Sequence, residues 1–282
     1  MPFAVSDAIG TTGPPALQRA RGVARLAVAA VAGRSRIASM HQSGSSRFRL
    51  PRRPPDAPLE AVLLNTAGGM TGGDRFETDV AVGPGAEAVI SSQAAERIYR
   101  RSTGTARVET RLTATGDGRL WWLPQETIVF NRAAVARSLT ADVDSGATLL
   151  ALEAVVLGRT AMGERLTDIA MTDAWRIRRD GRLVFADTTR LEGDAVSVMN
   201  GAATGGGAVA FATMLLVAPE AERHVEPLRA ALDGLPGEAG VSGFEGVTVV
   251  RLLAASGQAL LALAARAATV VRGTPMPRVW SL

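Results

Sequence analysis

The 282-residue sequence contains no cysteine, no lysine, one tyrosine and only two histidines. Without cysteine there is no disulfide, no thiolate nucleophile and no zinc-finger-type site. Without lysine there is no Schiff base and no phosphate-binding loop of the Gly-Lys-Ser/Thr kind. A multi-histidine metal site within one chain is excluded, because His41 and His224 are the whole supply. A Ser-His-Asp triad would have to use one of them. His41 sits in a basic Ser/Gly stretch and His224 on a segment expected to be a solvent-facing helix, so a hydrolase is not expected. Aromatic residues are 4% of the chain, so the core must be built from Val, Leu, Ile and Ala. No uncharged apolar run reaches the ~18 residues needed for a membrane-spanning helix. The start, MPFAVSDAIGTTGPPALQ, lacks a basic region and an apolar core, so a secretory signal is not expected and a cytoplasmic protein is.

Hydrophobic residues make up 47% and charged residues 21%, enough apolar surface to bury a sizeable core. All 31 basic residues are arginine, and the net charge of +4 is unevenly placed. Residues 1–55 hold nine arginines and one acid, or +8, and the remainder holds 22 arginines and 26 acids, or −4. A solvated basic surface explains this front end. Nucleic-acid binding is not expected, since Phe48 is the only aromatic interleaved with the later arginines.

Residues 1–20 carry Gly13-Pro14-Pro15 and little periodicity, and read as a mobile leader. Pro51 to Pro58 reads as a stiff connector. Between Pro58 and Pro219 only Pro84 and Pro124 occur, as continuous sheet requires. Apolar and polar residues alternate over 75–82, 105–114 and 175–179, the period of a strand with one wet face. Gly83-Pro84-Gly85, Gly116-Asp117-Gly118, Asp144-Ser145-Gly146 and Asp180-Gly181 punctuate these runs as turns. No helical pattern separates the strands, which excludes Rossmann and TIM layouts and predicts a mainly β body of short strands. Two helices are expected near the C-terminal third. One spans 219–232, with a kink or break at Pro227. The other spans 256–271, capped by Ser256, stopped by Gly273 and apolar enough all round to be buried. Gly201 to Gly207 reads as a mobile loop. Val/Leu/Ala-rich surfaces around 207–217 and 256–271 predict poor solubility without a partner.

Three segments stand out. Asn65 to Asp74 places Gly68, Gly69, Gly72 and Gly73 within six residues, which lets backbone adopt positive φ or approach something closely. A dinucleotide loop would need a helix after it, and a strand follows instead. A tight turn and a rigid loop at an interface both remain. Trp121-Trp122 on one strand must point to opposite faces, so one of them is expected at the surface or under a partner. Gly158-Arg159-Thr160-Ala161-Met162-Gly163-Glu164 reads as a corner with an internal ion pair. Glu126 and Glu164 would make an acid/base pair if they faced one cleft, which leaves a small-molecule enzyme as an alternative, alongside a purely structural β-protein.

Taken in order, these segments resemble the urease accessory protein UreD (UreH) family. The likeness is carried by Arg21-Gly22-Val23-Ala24-Arg25-Leu26, Gly33-Arg34-Ser35-Arg36, the Asn65 to Asp74 loop, Ser91 to Arg100, Leu123-Pro124-Gln125-Glu126-Thr127-Ile128, Gly158 to Glu164 and Pro277-Arg278-Val279-Trp280. The loop has Thr66-Ala67 where the family often carries proline. The resemblance implies a β-helix-like stack of sheets, in a single domain over 21–282, and a non-enzymatic chaperone. Its partners would be urease apoprotein, an all-helical accessory protein of the UreF type and a nickel-carrying GTPase of the UreG type, with neither nucleic acid nor membrane.

The resemblance also implies passage of nickel through an internal channel. No tight Ni(II) site and no tightly bound cofactor are expected, because Ni(II) prefers imidazole or thiolate. Transient nickel contacts are expected from acids in or near the matching motifs: Asp74, Glu126, Glu153 and Glu164. Buried ion pairs with Arg75 or Arg159 are the competing role for these acids. Arg278 and Trp280 are the expected anchors for the helical partner.

Overall fold

The computed structural model describes residues 18–54, 57–158 and 163–281. The leader expected over 1–20 lies, up to residue 17, outside the described residues, as do Arg159 and the rest of 159–162. The body is a stack of β coils resembling a β-solenoid of about four turns. Its first sheet has a parallel centre of β1 (Arg21–Val31), β5 (Arg75–Val82), β8 (Ala106–Ala114), β11 (Ala134–Val143) and β13 (Ile169–Arg179). Antiparallel β2 (Arg34–Gly44) and β14 (Arg182–Gly193) close its two edges. The second sheet stacks β4 (Leu59–Asn65), β6 (Glu87–Ser92), β9 (Arg119–Leu123) and β12 (Thr148–Leu157) in parallel. It ends on antiparallel β3 (Ser46–Arg49) at one side, and β15 (Ala210–Val217), β17 (Val247–Ala254) and β16 (Glu238–Phe244) at the other. A short third face pairs β7 (Glu96–Ile98), β10 (Thr127–Val129) and the end of β12.

The turn residues do more than reverse the chain. Each turn between the first and second sheets hydrogen-bonds to the turn below it. Asp117 accepts the Gly85 N–H at 2.6 Å, Asp144 that of Gly116 at 2.7 Å, and Asp180 that of Ser145 at 2.9 Å. A column of aspartates therefore satisfies turn donors that would otherwise lack partners. No described residue between 60 and 190 is helical, as the alternation requires.

The second sheet is buried on both faces, which explains why β12 and β15 read as continuous apolar runs while β5 and β8 alternate. One core lies between the sheets, around Val80, Leu112, Ile90, Leu149 and Ile177. A second lies between the second sheet and the helices. The apolar segment expected to lie at the surface over 207–217 is thus mostly β15, a central strand with both faces covered.

The helical third differs from expectation in detail. A short α1 (Ala195–Met199), capped by Asp194, had no helical signal. The turn at 201–207 is tied back to it through Gly207 N–H to Met199 O at 2.8 Å and the Thr204 hydroxyl to Val198 O. Residues 221–224 form a 3-10 turn ahead of α2 (Val225–Leu232), so the break precedes Pro227. Pro227 then sits in the first turn, where its missing N–H costs nothing. Ser256 caps α3 (Gly257–Arg272) through the Ala259 N–H at 3.1 Å, and Gly273 ends it at φ 66°. This helix is not buried all round: Gln258, Ala262 and Arg266 form an open stripe. Trp121 is covered by the chain itself, with its indole donating to Glu87 at 2.8 Å and the Arg272 guanidinium 5.7 Å from its ring.

Candidate functional site

A cavity of about 210 Å³ lies between the two sheets. Its outer end is rimmed by exposed Gly68, Gln93, Ala94 and Arg97. Thr78 on β5 and Thr110 on β8, register neighbours, line its wall. At the inner end stands Arg137 with Glu153, Thr127 and Trp122.

This inner end is built by breaking the strand pattern. On β11 the inward positions run Val135, Arg137, Leu139, Ala141; on β13 they run Met171, Asp173, Trp175, Ile177; on β12 they run Leu149, Ala151, Glu153, Val155. One charged residue replaces an apolar one on each strand, and register pairing sets Arg137 beside Asp173. The Arg137 guanidinium bonds the Asp173 carboxylate, meets Glu153 Oε2 at 2.9 Å and donates to Thr127 Oγ1 at 2.8 Å. The Trp122 indole donates to Glu153 Oε1 at 3.3 Å. Among the described residues, Arg137 Nε and Asp173 Oδ1 have no hydrogen-bond partner.

Two carboxylates share one guanidinium, so charge does not balance locally. Burial pushes the Glu153 carboxyl above its usual range; Arg137 opposes this, and the nearby Asp173 charge reinforces it. Burial pulls on Arg137 in the opposite sense, but attraction to Asp173 and Glu153 leaves it above its ordinary value and firmly charged. Nearer the outer end, Glu96 is held by the Asn65 amide at 3.1 and 3.2 Å and by its neighbour Arg97 N–H at 3.1 Å. Burial raises Glu96 despite these bonds.

Among the four acids expected to touch nickel, only Glu153 lines the cavity. Asp74 is buried in the Gly-rich loop, where its two oxygens accept the Ala20 and Thr71 N–H groups, each at 2.8 Å. It clasps the loop and is not paired with Arg75. Glu126 is half-buried, between the lining residues Gln125 and Thr127, and does not line the cavity itself. Glu164 accepts the Asn131 N–H at 3.1 Å at a corner away from the cavity. Glu126 and Glu164 therefore do not share this cleft, the one an acid/base pair would need. Arg137 and Asp173 escaped the sequence reading, and Asn65 and Glu96 lay in quoted segments without being assigned to a site. The available signal was a charge on the apolar phase of three strands.

The Gly-rich loop is a tight turn between β4 and β5, and its glycines serve different needs. Gly68 has φ 76° in open space. Gly72 is not at positive φ, but an added Cβ would lie 2.3 Å from the Thr103 carbonyl oxygen and 2.6 Å from that of Gly104. Gly72→Ala is expected to cost about 1–3 kcal/mol through this clash, and Gly68→Ala about 1 kcal/mol through backbone alone. A Gly72→Ala melt that matches the parent would show that the corner relaxes freely.

The C-terminal anchors pack onto the same region. The Trp280 indole donates to Leu123 O at 3.0 Å, and the Gln125 amide donates to Val279 O at 2.8 Å. Trp280 is half-buried against the second core, while Arg278 is exposed. Among the described residues, no group of three or more His, Cys, Asp or Glu side chains could hold a metal ion.

A sequence model described as UreD urease accessory protein matches residues 20–281. The chain belongs to the UreD family. It is 47% identical over 272 residues to "Urease accessory protein UreD 2" of Methylorubrum populi, covering 94% of this chain and 92% of that protein. It is 44% identical over 266 residues to "Urease accessory protein UreD" of Rhizobium rhizogenes, covering 94% and 96%. The UreD protein of Mesorhizobium japonicum is 44% identical over 272 residues, covering 95% and 96%. Membership implies a role in urease maturation. Among the described residues no helix is long and apolar enough to cross a membrane.

Proposed function

We propose that the chain is a non-enzymatic scaffold of urease maturation in the cytoplasm. It holds urease apoprotein together with a UreF-type helical accessory protein and a UreG-type GTPase, and its internal cavity passes nickel towards the urease active site. The observation that carries this reading is the cavity, with a partly buried carboxylate towards each end and hydroxyl, amide and carbonyl oxygens between. Such donors hold Ni(II) weakly, and an ion in transit must be released. Glu96 and Glu153 take over the role first assigned to Asp74, Glu126, Glu153 and Glu164 together.

Co-purification tests the scaffold. The full chain should retain urease apoprotein and the helical protein on a column, and a chain that retains neither defeats the reading. Arg278→Glu should weaken capture of the helical protein at least about tenfold, with no fall in melting temperature, since Arg278 is exposed. Removing residues 277–282 should weaken capture too. It should also lower the melting temperature, because Trp280 and Val279 are bonded to the body. Normal capture by Arg278→Glu would retire that residue as an anchor.

A further inference from the structure

We propose that the solenoid corner where the third face feeds the first sheet is a docking surface for a carboxylate-rich face of a protein partner. The proposal rests on the scaffold reading and names the surface that such a partner would meet.

Arg21, Arg75 and Arg107 are register neighbours on β1, β5 and β8, and all three are exposed. Adjacent strands lie about 4.8 Å apart, so three positive charges form one column about 10 Å long. Like charges directly opposed on neighbouring strands destabilise a sheet. None of the three makes a side-chain hydrogen bond or ion pair among the described residues.

The contrast with the same face a few residues along is informative. There Arg25 meets Asp79 at 2.9 Å, Arg111 meets Asp79 at 3.2 Å, and Arg111 meets Glu109 at 2.6 Å. The sheet pairs its charges there and leaves the corner column unpaired.

The loops feeding β8 and β11 extend the column. Arg100 and Arg132 are exposed, and neither side chain has a partner among the described residues. Their backbones are fixed: Thr71 Oγ1 donates to Arg100 O at 2.9 Å, and Arg101 N–H donates to Arg132 O at 2.9 Å. Arg132 itself is at φ 62°, a conformation non-glycine residues seldom adopt. Tyr99, 38% exposed, stands beside them with its ring edge-on to Phe130 and its hydroxyl on Gly68 O. Arginines on a fixed backbone around an exposed tyrosine have the composition of an interface centre, and arginine pairs bidentately with carboxylates. The corner adjoins Gly68 at the rim of the cavity, so a partner seated there lies next to its outer end.

The ligand chemistry is that of a folded acidic surface. Glu77 and Glu109 form a second register row immediately behind the arginines. That row would repel a polyphosphate chain laid across the sheet, whereas a protein face can offer each row its own complement.

The test compares the full chain with the double variant Arg75→Glu/Arg100→Glu. Each is titrated at low and moderate salt against purified urease apoprotein and, separately, the purified helical accessory protein. For one of the two proteins the variant should bind at least about tenfold more weakly and lose most of the parent's salt dependence. Its melting temperature should hold or rise, because a carboxylate at position 75 would stand between Arg21 and Arg107 and relieve their repulsion. Should the double variant misfold, Arg75→Gln/Arg100→Gln is read instead, with a loss of about threefold expected. Equal affinities and equal salt dependence for both proteins overturn the docking surface while leaving the scaffold intact. A parent chain that binds neither protein removes the scaffold reading and this inference with it. A single-stranded oligonucleotide held more tightly than either protein, and released by the variant, replaces the protein partner with nucleic acid.

Discussion

Arg137→Met is expected to cost about 3–5 kcal/mol at neutral pH, because it leaves two buried carboxylates facing each other without a counter-charge. Glu153 and Asp173 flank the guanidinium, and Thr127 and Trp122 supply only neutral donors and acceptors. The loss carries a pH signature. Glu153 is already raised by burial, and Arg137 is what opposes that rise. Without it, the Glu153 carboxyl titrates still further above its unfolded value. A raised acid favours the fold below its unfolded pKa and penalises it as pH rises through the folded pKa. The deficit of Arg137→Met should therefore be smallest near pH 4 and grow towards neutrality. Urea melts of parent and variant across that range measure it. A deficit independent of pH would mean that Arg137 contributes packing and not charge.

The second large effect is on urease activation. Glu153→Gln leaves Arg137 paired with Asp173, so its stability should stay within about 1 kcal/mol of the parent. Glu96→Gln should raise stability at neutral pH, since a carboxyl raised by burial penalises the fold whenever it is ionised. Both changes remove a carboxylate from the cavity, and together they should lower urease activation by about ten- to a hundredfold. Asp74→Asn is the contrast. Its oxygens cap two backbone donors, so the amide should destabilise the loop, and activation should fall only as far as the fold does. Melting temperature and activation, read on the same proteins, separate the two classes. Full activation by the Glu96→Gln/Glu153→Gln chain, with its complex assembled, would remove the cavity from the path of nickel.

The strands of this protein are legible because their cause is local. Period-2 alternation over 75–82 matches β5 to the residue, and the Asp- and Gly-containing turns fall where the strands end. The Ser256 cap and the Gly273 stop of α3 are likewise written within a few residues. The cavity is not legible in this way. Glu153 was reachable from its motif neighbourhood and Glu96 lay inside the Ser91 to Arg100 segment, but Arg137 and Asp173 looked like ordinary charges on strands. Asp74 misled for the opposite reason. An acid after a Gly-rich loop has the sequence of a ligand, yet two backbone N–H groups 54 and 3 positions away claim its oxygens.

Composition alone excluded thiolate, lysine and multi-histidine chemistry, and the turn spacing required a body of short strands. Only the coiling of those strands decided the rest. Parallel stacking sets residues from successive coils side by side in register. It thereby puts Arg137 next to Asp173 across two strands and Arg21, Arg75 and Arg107 into one column. Alternation says which face a side chain takes, but which strand lies beside it depends on register across tens of residues. That register is set by burying the whole sheet at once, so the charge buried beside the cavity and the charge left bare at the corner both exist only in the folded stack.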